Sequence, residues 1–211
     1  MKRWLLTLCA MMIGVVATMA QQGQVEKRSK SLFVFPEFKD AVVQQTFGRT
    51  TKAKANIYLG EGTLIYIDAK TGKKMRAYLN NVIGVTFDDT IRYMRVDSIM
   101  ARVVAQHGYN ILLRHTYVDK KRLQDERVRD LNFEMTGIID LEKRDDEQGY
   151  PLMDRYYFII RGETIPANES SFKRFVGKDQ MQAFKVLMAN RFWSWKDPES
   201  LKMLLVFLPE K

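Results

Sequence analysis

Few side chains in this chain of 211 residues have types and spacing that suggest a reaction. The two histidines, His107 and His115, are eight residues apart. With His107 at a hairpin loop and His115 along the returning strand, they stand roughly 25 Å apart at about 3.3 Å per residue, too far to share a metal. Cys9 is the single cysteine and lies in the N-terminal apolar run, so neither a disulfide framework nor a thiol nucleophile is expected. Ser170-Ser171-Phe172-Lys173 has the Ser-x-x-Lys spacing that sets a nucleophile and a lysine on one helical face. No Ser-Asp-Asn accompanies it, and the Lys-Thr-Gly at Lys70 lies upstream of the serine, so a helix cap is the preferred reading. Lys70-Thr71-Gly72-Lys73-Lys74 lacks the spaced second glycine and following helix of a phosphate loop, and reads as a turn. Asp88-Asp89 and Asp145-Asp146-Glu147 are acid clusters from which a glycoside-cleaving carboxylate pair could be drawn, but both have turn composition. No catalytic residue, cofactor or metal is assigned.

The better candidates are surfaces for binding. Phe192-Trp193-Ser194-Trp195, between Arg191 and Lys196, suits stacking on a sugar or anchoring a partner. The competing reading has the tryptophans sealing a junction between terminal helices and a sheet. Tyr156-Tyr157, with Tyr58, Tyr66 and Tyr78, could line a groove, although aromatics are ordinary on half-buried strands. Phe192, Trp193, Trp195 and Tyr156 are therefore the candidate partner or ligand surface.

The elements that must hold these residues begin after an export signal. Lys2 and Arg3 precede an apolar run over residues 5–16, and Thr18-Met19-Ala20 offers a cleavage site before Gln21. The run is shorter than the 20 or so residues of a spanning helix, and Leu8 before Cys9 is not the small residue of a lipoprotein signal. Removing residues 1–20 leaves 191 residues without cysteine and lowers the net charge from +9 to +7. No second run is long enough to span a bilayer. The basic residues are spread along the chain, which favours a solvated surface over a nucleic-acid stripe.

Residues 21–31 read as a flexible arm, and Leu32-Phe33-Val34-Phe35-Pro36 as an extended segment. Strands are expected at 40–47, in a meander over 52–79, at 82–87 and at 90–96. The central hairpin over 99–117 follows. A three-residue loop, Gln106-His107-Gly108, would oppose Val103 to Ile111 and Ala101 to Leu113, keeping one apolar face. In the meander, loops at Gly60-Glu61-Gly62 and Lys70-Thr71-Gly72 would oppose Ile57 to Ile65 and Ile67 to Met75. Residues 120–130 read as a charged loop or helical turn, 131–141 as a strand, 142–149 as a solvated loop, and 156–167 as a last hairpin turning at Arg161-Gly162. At Asn168 the apolar period changes from 2 to about 3.6. Ser170 or Ser171, Asp179 with Gln182, and Asp197-Pro198-Glu199 mark three helix starts. Leu201, Leu204, Leu205 and Leu208 form the buried face of the last helix. The expected fold is α+β: an antiparallel, hairpin-rich β domain over 32–167, then a small helical subdomain over 168–211.

The export signal, the opening Leu32-Phe33-Val34-Phe35-Pro36-Glu37-Phe38, the meander and the terminal Asp197-Pro198-Glu199-Ser200-Leu201 helix together resemble small exported, periplasmic or outer-membrane-associated proteins of Bacteroidota. The resemblance spans most of the chain after residue 20 and supplies no catalytic residues. It implies a periplasmic or outer-membrane location. It also draws attention to Asp89-Thr90-Ile91 and Asp97-Ser98-Ile99, which match the Asp-Ser/Thr-aliphatic pattern of O-glycosylation in these bacteria, at Thr90 and Ser98. The functional expectation is an exported, non-catalytic binding protein, an accessory or scaffold subunit of an envelope assembly with an envelope protein as partner. A carbohydrate-binding or carbohydrate-cleaving protein is the alternative, and nucleic acid is a weaker third.

Overall fold

The computed structural model describes residues 27–133 and 148–208. The export signal, the acid cluster at 145–147 and most of the strand expected at 131–141 lie outside these residues. The described strands are β1 (Arg28–Ser29), β2 (Lys39–Gln45), β3 (Thr50–Tyr58), β4 (Thr63–Ile67), β5 (Lys74–Arg76), β6 (Val82–Phe87), β7 (Ile91–Val96), β8 (Ile99–His107), β9 (Asn110–Val118), β10 (Tyr150–Ile160) and β11 (Glu163–Pro166). Helix α1 (Lys120–Phe133) separates β9 from β10, and α2 (Glu169–Lys173), α3 (Met181–Met188) and α4 (Pro198–Leu205) follow β11. The strands run in the order β1-β10-β9-β8-β7-β6-β2-β3-β4-β5, with β11 also on β10. Every pairing is antiparallel, as short hairpin turns require. The chain is an α+β protein dominated by this hairpin-rich sheet, which curls into a half-barrel.

The N-terminal segment ties the curl together. It starts as β1, with Arg28 opposite Pro151 of β10. Four residues on, it reaches the end of β3: the Leu59 amide donates to the Leu32 carbonyl (2.7 Å) and the Val34 amide to that of Ile57 (3.0 Å). Phe33 forms an isolated bridge with Tyr58. Buried Asn56 fixes the segment further, because its amide nitrogen donates to the carbonyls of Phe35 (2.8 Å) and Glu37 (3.1 Å). Its oxygen accepts from the amides of Phe35 (3.1 Å) and Ile57 (2.8 Å), so the buried side chain is fully satisfied. Part of the stretch expected to be a flexible arm is therefore a strand.

Alternation along the strands builds apolar clusters on both faces. On the inner face Val43 opposes Val85 and Ala41 opposes Phe87, and Phe35 packs on Phe87 with ring centroids 4.9 Å apart. The same face of β9 and β10 carries Leu112, Tyr156, Phe158 and Ile160, covered by Phe172, Phe184, Leu201, Leu204, Leu205 and Leu208. On the outer face Val96, Ala101, Ile111 and Leu113 form a smaller cluster. The buried face expected for the last helix is observed in full.

Several registers differ from expectation. The β8–β9 turn has two residues, Gly108 and Tyr109, with His107 opposite Asn110, and Gly108 takes the positive φ (57°) that this turn demands. A bulge between Val103 and Ala105 shifts the pairing, so that Val103 opposes Leu113 while Ala105 opposes Leu112. Val103 thus stays on the outer face, and Ala105 turns inward. In the meander Ile57 opposes Leu64 and Tyr66 opposes Met75, one residue away from the expected pairs, because the first turn occupies residues 59–62, closed by Gly62 N–H to the Tyr58 carbonyl (2.8 Å), and the second occupies residues 68–73, closed by Asp68 N–H to the Lys73 carbonyl (3.0 Å). The β2–β3 turn occupies Thr46–Gly48. Residues 120–133 form a helix, into which the start of the strand expected at 131–141 falls. Asn168, not Ser170 or Ser171, caps α2 by accepting from the Ser171 amide. Gln180 precedes α3 without a side-chain cap, so the Asp179–Gln182 box is not formed. Asp197 caps α4, with Pro198 at its first turn, as expected.

Candidate functional site

The half-barrel encloses a cavity of about 240 Å³. Ile57 and Leu59 from the end of β3, Met100 from β8, Leu152 from β10 and Val34 from the N-terminal segment make its apolar walls. Its polar lining comes from Tyr93, Arg102, Arg114 and Thr116 on β7 to β9, with Lys27, Arg28 and Ser29 across from them. Arg102 and Arg114 are direct cross-strand partners, an arrangement that places like charges on opposed positions. Tyr93 is in turn directly opposite Arg102.

The surrounding charges are mostly neutralised in pairs. Lys27 Nζ lies 2.6 Å from Asp154, which also accepts from the Thr116 hydroxyl. Arg28 lies 2.9 Å from Glu126, and Arg122, one helical turn away, also bonds Glu126 at 2.9 Å. The Arg28 hydrogen bond, with help from Arg122, holds the Glu126 carboxyl down to about 2 against the opposing effect of burial. Arg102 and Arg114 have no ion pair with a described carboxylate. The Nε of Arg114 is shielded from solvent without a hydrogen-bond partner among the described residues, while Arg102 is exposed. Burial pushes the Tyr93 hydroxyl up, and the two arginines pull it back. Tyr156 is raised chiefly by burial and then by Asp154, with Arg114 opposing.

The expected binding residues are not brought to one surface. Trp193 and Trp195 stand edge to face with centroids 4.6 Å apart, and both pack half-buried against the helix cluster. Trp195 also meets Phe172 at 6.2 Å. Tyr156 is buried at 7% exposure, whereas Phe192 is 77% exposed with the Arg191 guanidinium 4.5 Å from its ring centroid. Thr90 and Ser98 are both exposed, at the β6–β7 and β7–β8 turns. His115 is buried on the outer face, stacked on Tyr117 at 5.1 Å. Burial first, then Arg155, lowers its pKa to about 4, with Asp154 opposing. Among the described residues no group of three or more histidine, cysteine or acidic side chains could hold a metal.

The cavity arginines escaped sequence reasoning because the three-residue loop at His107 sets Arg102 against Leu112 and Arg114 against Met100. Only the two-residue turn with its bulge makes them partners. The available signal was an arginine on each strand of the central hairpin, in the alternating set that contains Met100 and Leu112. No protein-family model matches the chain, and neither a curated protein nor a solved structure is significantly similar to it.

Proposed function

We propose that this chain is an exported, non-catalytic binding protein, an accessory or scaffold subunit of an envelope assembly at the outer membrane. Residues 1–20 would be its export signal and 168–211 a helical subdomain. The observation that carries the reading is Phe47. It is 97% exposed and holds a left-handed φ of 61° immediately before Gly48. A large apolar side chain left in water forgoes roughly 1.5–3 kcal/mol of burial, and a left-handed non-glycine residue costs about 1–2 kcal/mol more. A partner that covers the side chain would recover the first of these. Tyr109 and Phe192, each 77% exposed, offer further aromatic contacts, which interfaces favour.

The half-buried, edge-to-face setting of Trp193 and Trp195 supports protein partnership over the carbohydrate alternative, which would use an open tryptophan face. The test is a tagged pull-down from gently solubilised native envelopes, with stoichiometry determined, comparing wild type and Phe47→Ser. A stoichiometric outer-membrane protein lost from the variant is the expected result. A lone monomer from both would sink the subunit reading and direct attention to glycan binding. Intact mass belongs with this experiment: an excess that disappears in Thr90→Ala or Ser98→Ala would assign a glycan, and an unmodified mass would remove it.

A further inference from the structure

We propose that the cavity inside the half-barrel binds a small amphiphilic acid, its carboxylate or phosphate bridging Arg102 and Arg114 and its short apolar body resting on Ile57, Leu59 and Met100. The proposal stands apart from the envelope reading, since it concerns the interior of the sheet and not Phe47.

Three observations converge on it. The two guanidinium-bearing residues are direct cross-strand partners, and such like-charged pairs repel unless something neutral or negative lies between them. The remaining cations of the lining already have carboxylates: Lys27 has Asp154 and Arg28 has Glu126. The local excess of positive charge therefore belongs to Arg102 and Arg114. Among the described residues the Nε–H of Arg114 is buried without an acceptor, a state that native structures avoid and that an anionic oxygen would relieve. Guanidinium groups suit planar carboxylates and phosphates because two parallel N–H donors meet two oxygens.

Size and wall chemistry narrow the ligand. A volume of about 240 Å³ exceeds the roughly 150 Å³ that admits benzene, yet falls below the 300–1,000 Å³ or so of pockets for drug-sized molecules. The charged group belongs at Arg102 and Arg114, and the apolar body on neighbouring Met100 and on Ile57 and Leu59. The same head group could come from a free acid or from an anionic lipid.

The probes are benzoate and phenyl phosphate, with benzyl alcohol as the neutral control and phosphatidylglycerol vesicles as the lipid source. They are titrated calorimetrically into the full chain and into Arg114→Met and Arg102→Met, each of which keeps an unbranched apolar stem while removing the guanidinium and its charge. Saturable binding of an acid but not of benzyl alcohol is expected, weakened roughly tenfold or more in either variant, as loss of one partner in a desolvated charge contact implies. The ligand-free variants should melt no lower than wild type, because a like-charge contact has been removed; a merely structural arginine would lower the melting temperature instead. Vesicle binding that depends on Arg114 and is displaced by phenyl phosphate would assign the lipid source. Absence of binding by both acids and vesicles at about 5 mM, near the weak limit of specific recognition, or equal binding by wild type and both variants, would overturn the proposal. Should one variant fail to fold, the other retains the test.

Discussion

At the scale of single residues, Gly62 and His115 share a contact that can be measured. A β-carbon on Gly62 would lie 2.6 Å from His115 Nε2 and 3.1 Å from Ile99 Cβ, and the glycine already has a φ of 68°. Gly48 has a similar φ of 71° but open space around it. Gly48→Ala should therefore cost the left-handed conformation alone, about 1 kcal/mol. Gly62→Ala should cost roughly 2–4 kcal/mol, because a buried ring must also move. Urea denaturation of the pair measures the difference, and equal losses would discount the contact. The buried imidazole also makes stability depend on pH. Unfolded His115 takes up its proton near the ordinary 6.5, whereas in the fold burial holds that event to about 4. The unfolded state thus binds more protons between these values, and the His115 contribution to stability declines as pH falls through 6.5 and levels off below 4. The total is roughly 3 kcal/mol. His115→Gln should flatten the dependence of the urea midpoint between pH 7.5 and 4.5, and an unchanged slope would remove His115 as the cause. That His115 lies on the returning strand of the central hairpin was legible from alternation. The cavity arginines were not, because their pairing depends on one bulged residue.

At the scale of elements, the N-terminal segment is held by side chains as well as by backbone pairing. Arg28 bonds Glu126 at 2.9 Å and the Gly149 carbonyl at 2.9 Å, joining the segment to α1 and to the approach to β10. Arg28→Ala should loosen it, lowering hydrogen-exchange protection of the Val34 and Leu59 amides about tenfold while strands β6 to β9 keep theirs. Unchanged protection at those two amides would show that the backbone pairs suffice. The depressed Glu126 carboxyl gives the same contact an acid limit: its contribution is complete above the ordinary 4.5 and is lost as pH falls toward about 2. Most strands could be read from alternation, since period 2 is local. Register could not, because changing the β3–β4 turn by one residue moves Leu64 and Tyr66, instead of Ile65 and Ile67, opposite the inner residues of β3. Helix α1 eluded a firm assignment because its sequence, KKRLQDERVRDLNF, is charged around most of its circumference and lacks a clear apolar stripe. The start of α4 was plain because Asp197 and Pro198 each act within one turn of it.

At the scale of the whole molecule, the helices and sheet share one cluster. Phe158 is fully buried and meets Phe172 edge on, with centroids 5.1 Å apart. Phe158→Ala should destabilise the protein by roughly 3–5 kcal/mol. The helical far-ultraviolet signal and the aromatic near-ultraviolet signal should still be lost together in urea. Separate transitions would make residues 168–208 an independent unit. Helical cover over the sheet was legible from the change of period at Asn168. The closed circuit from β10 through the N-terminal segment to β3 was not, because it joins residues more than a hundred positions apart and no local pattern encodes such a contact. This circuit also sets an order of events. Arg28 and Ser29 leave the ribosome early, yet their partners Pro151 and Tyr150 are made after most of the barrel. The first strand to exist is therefore the last to find its place, and the cavity stays accessible until it does, since long-range closure carries the largest entropy cost. Pulse-labelled refolding should show the Leu59 amide gaining protection after those of β8 and β9; earlier protection would reverse that order.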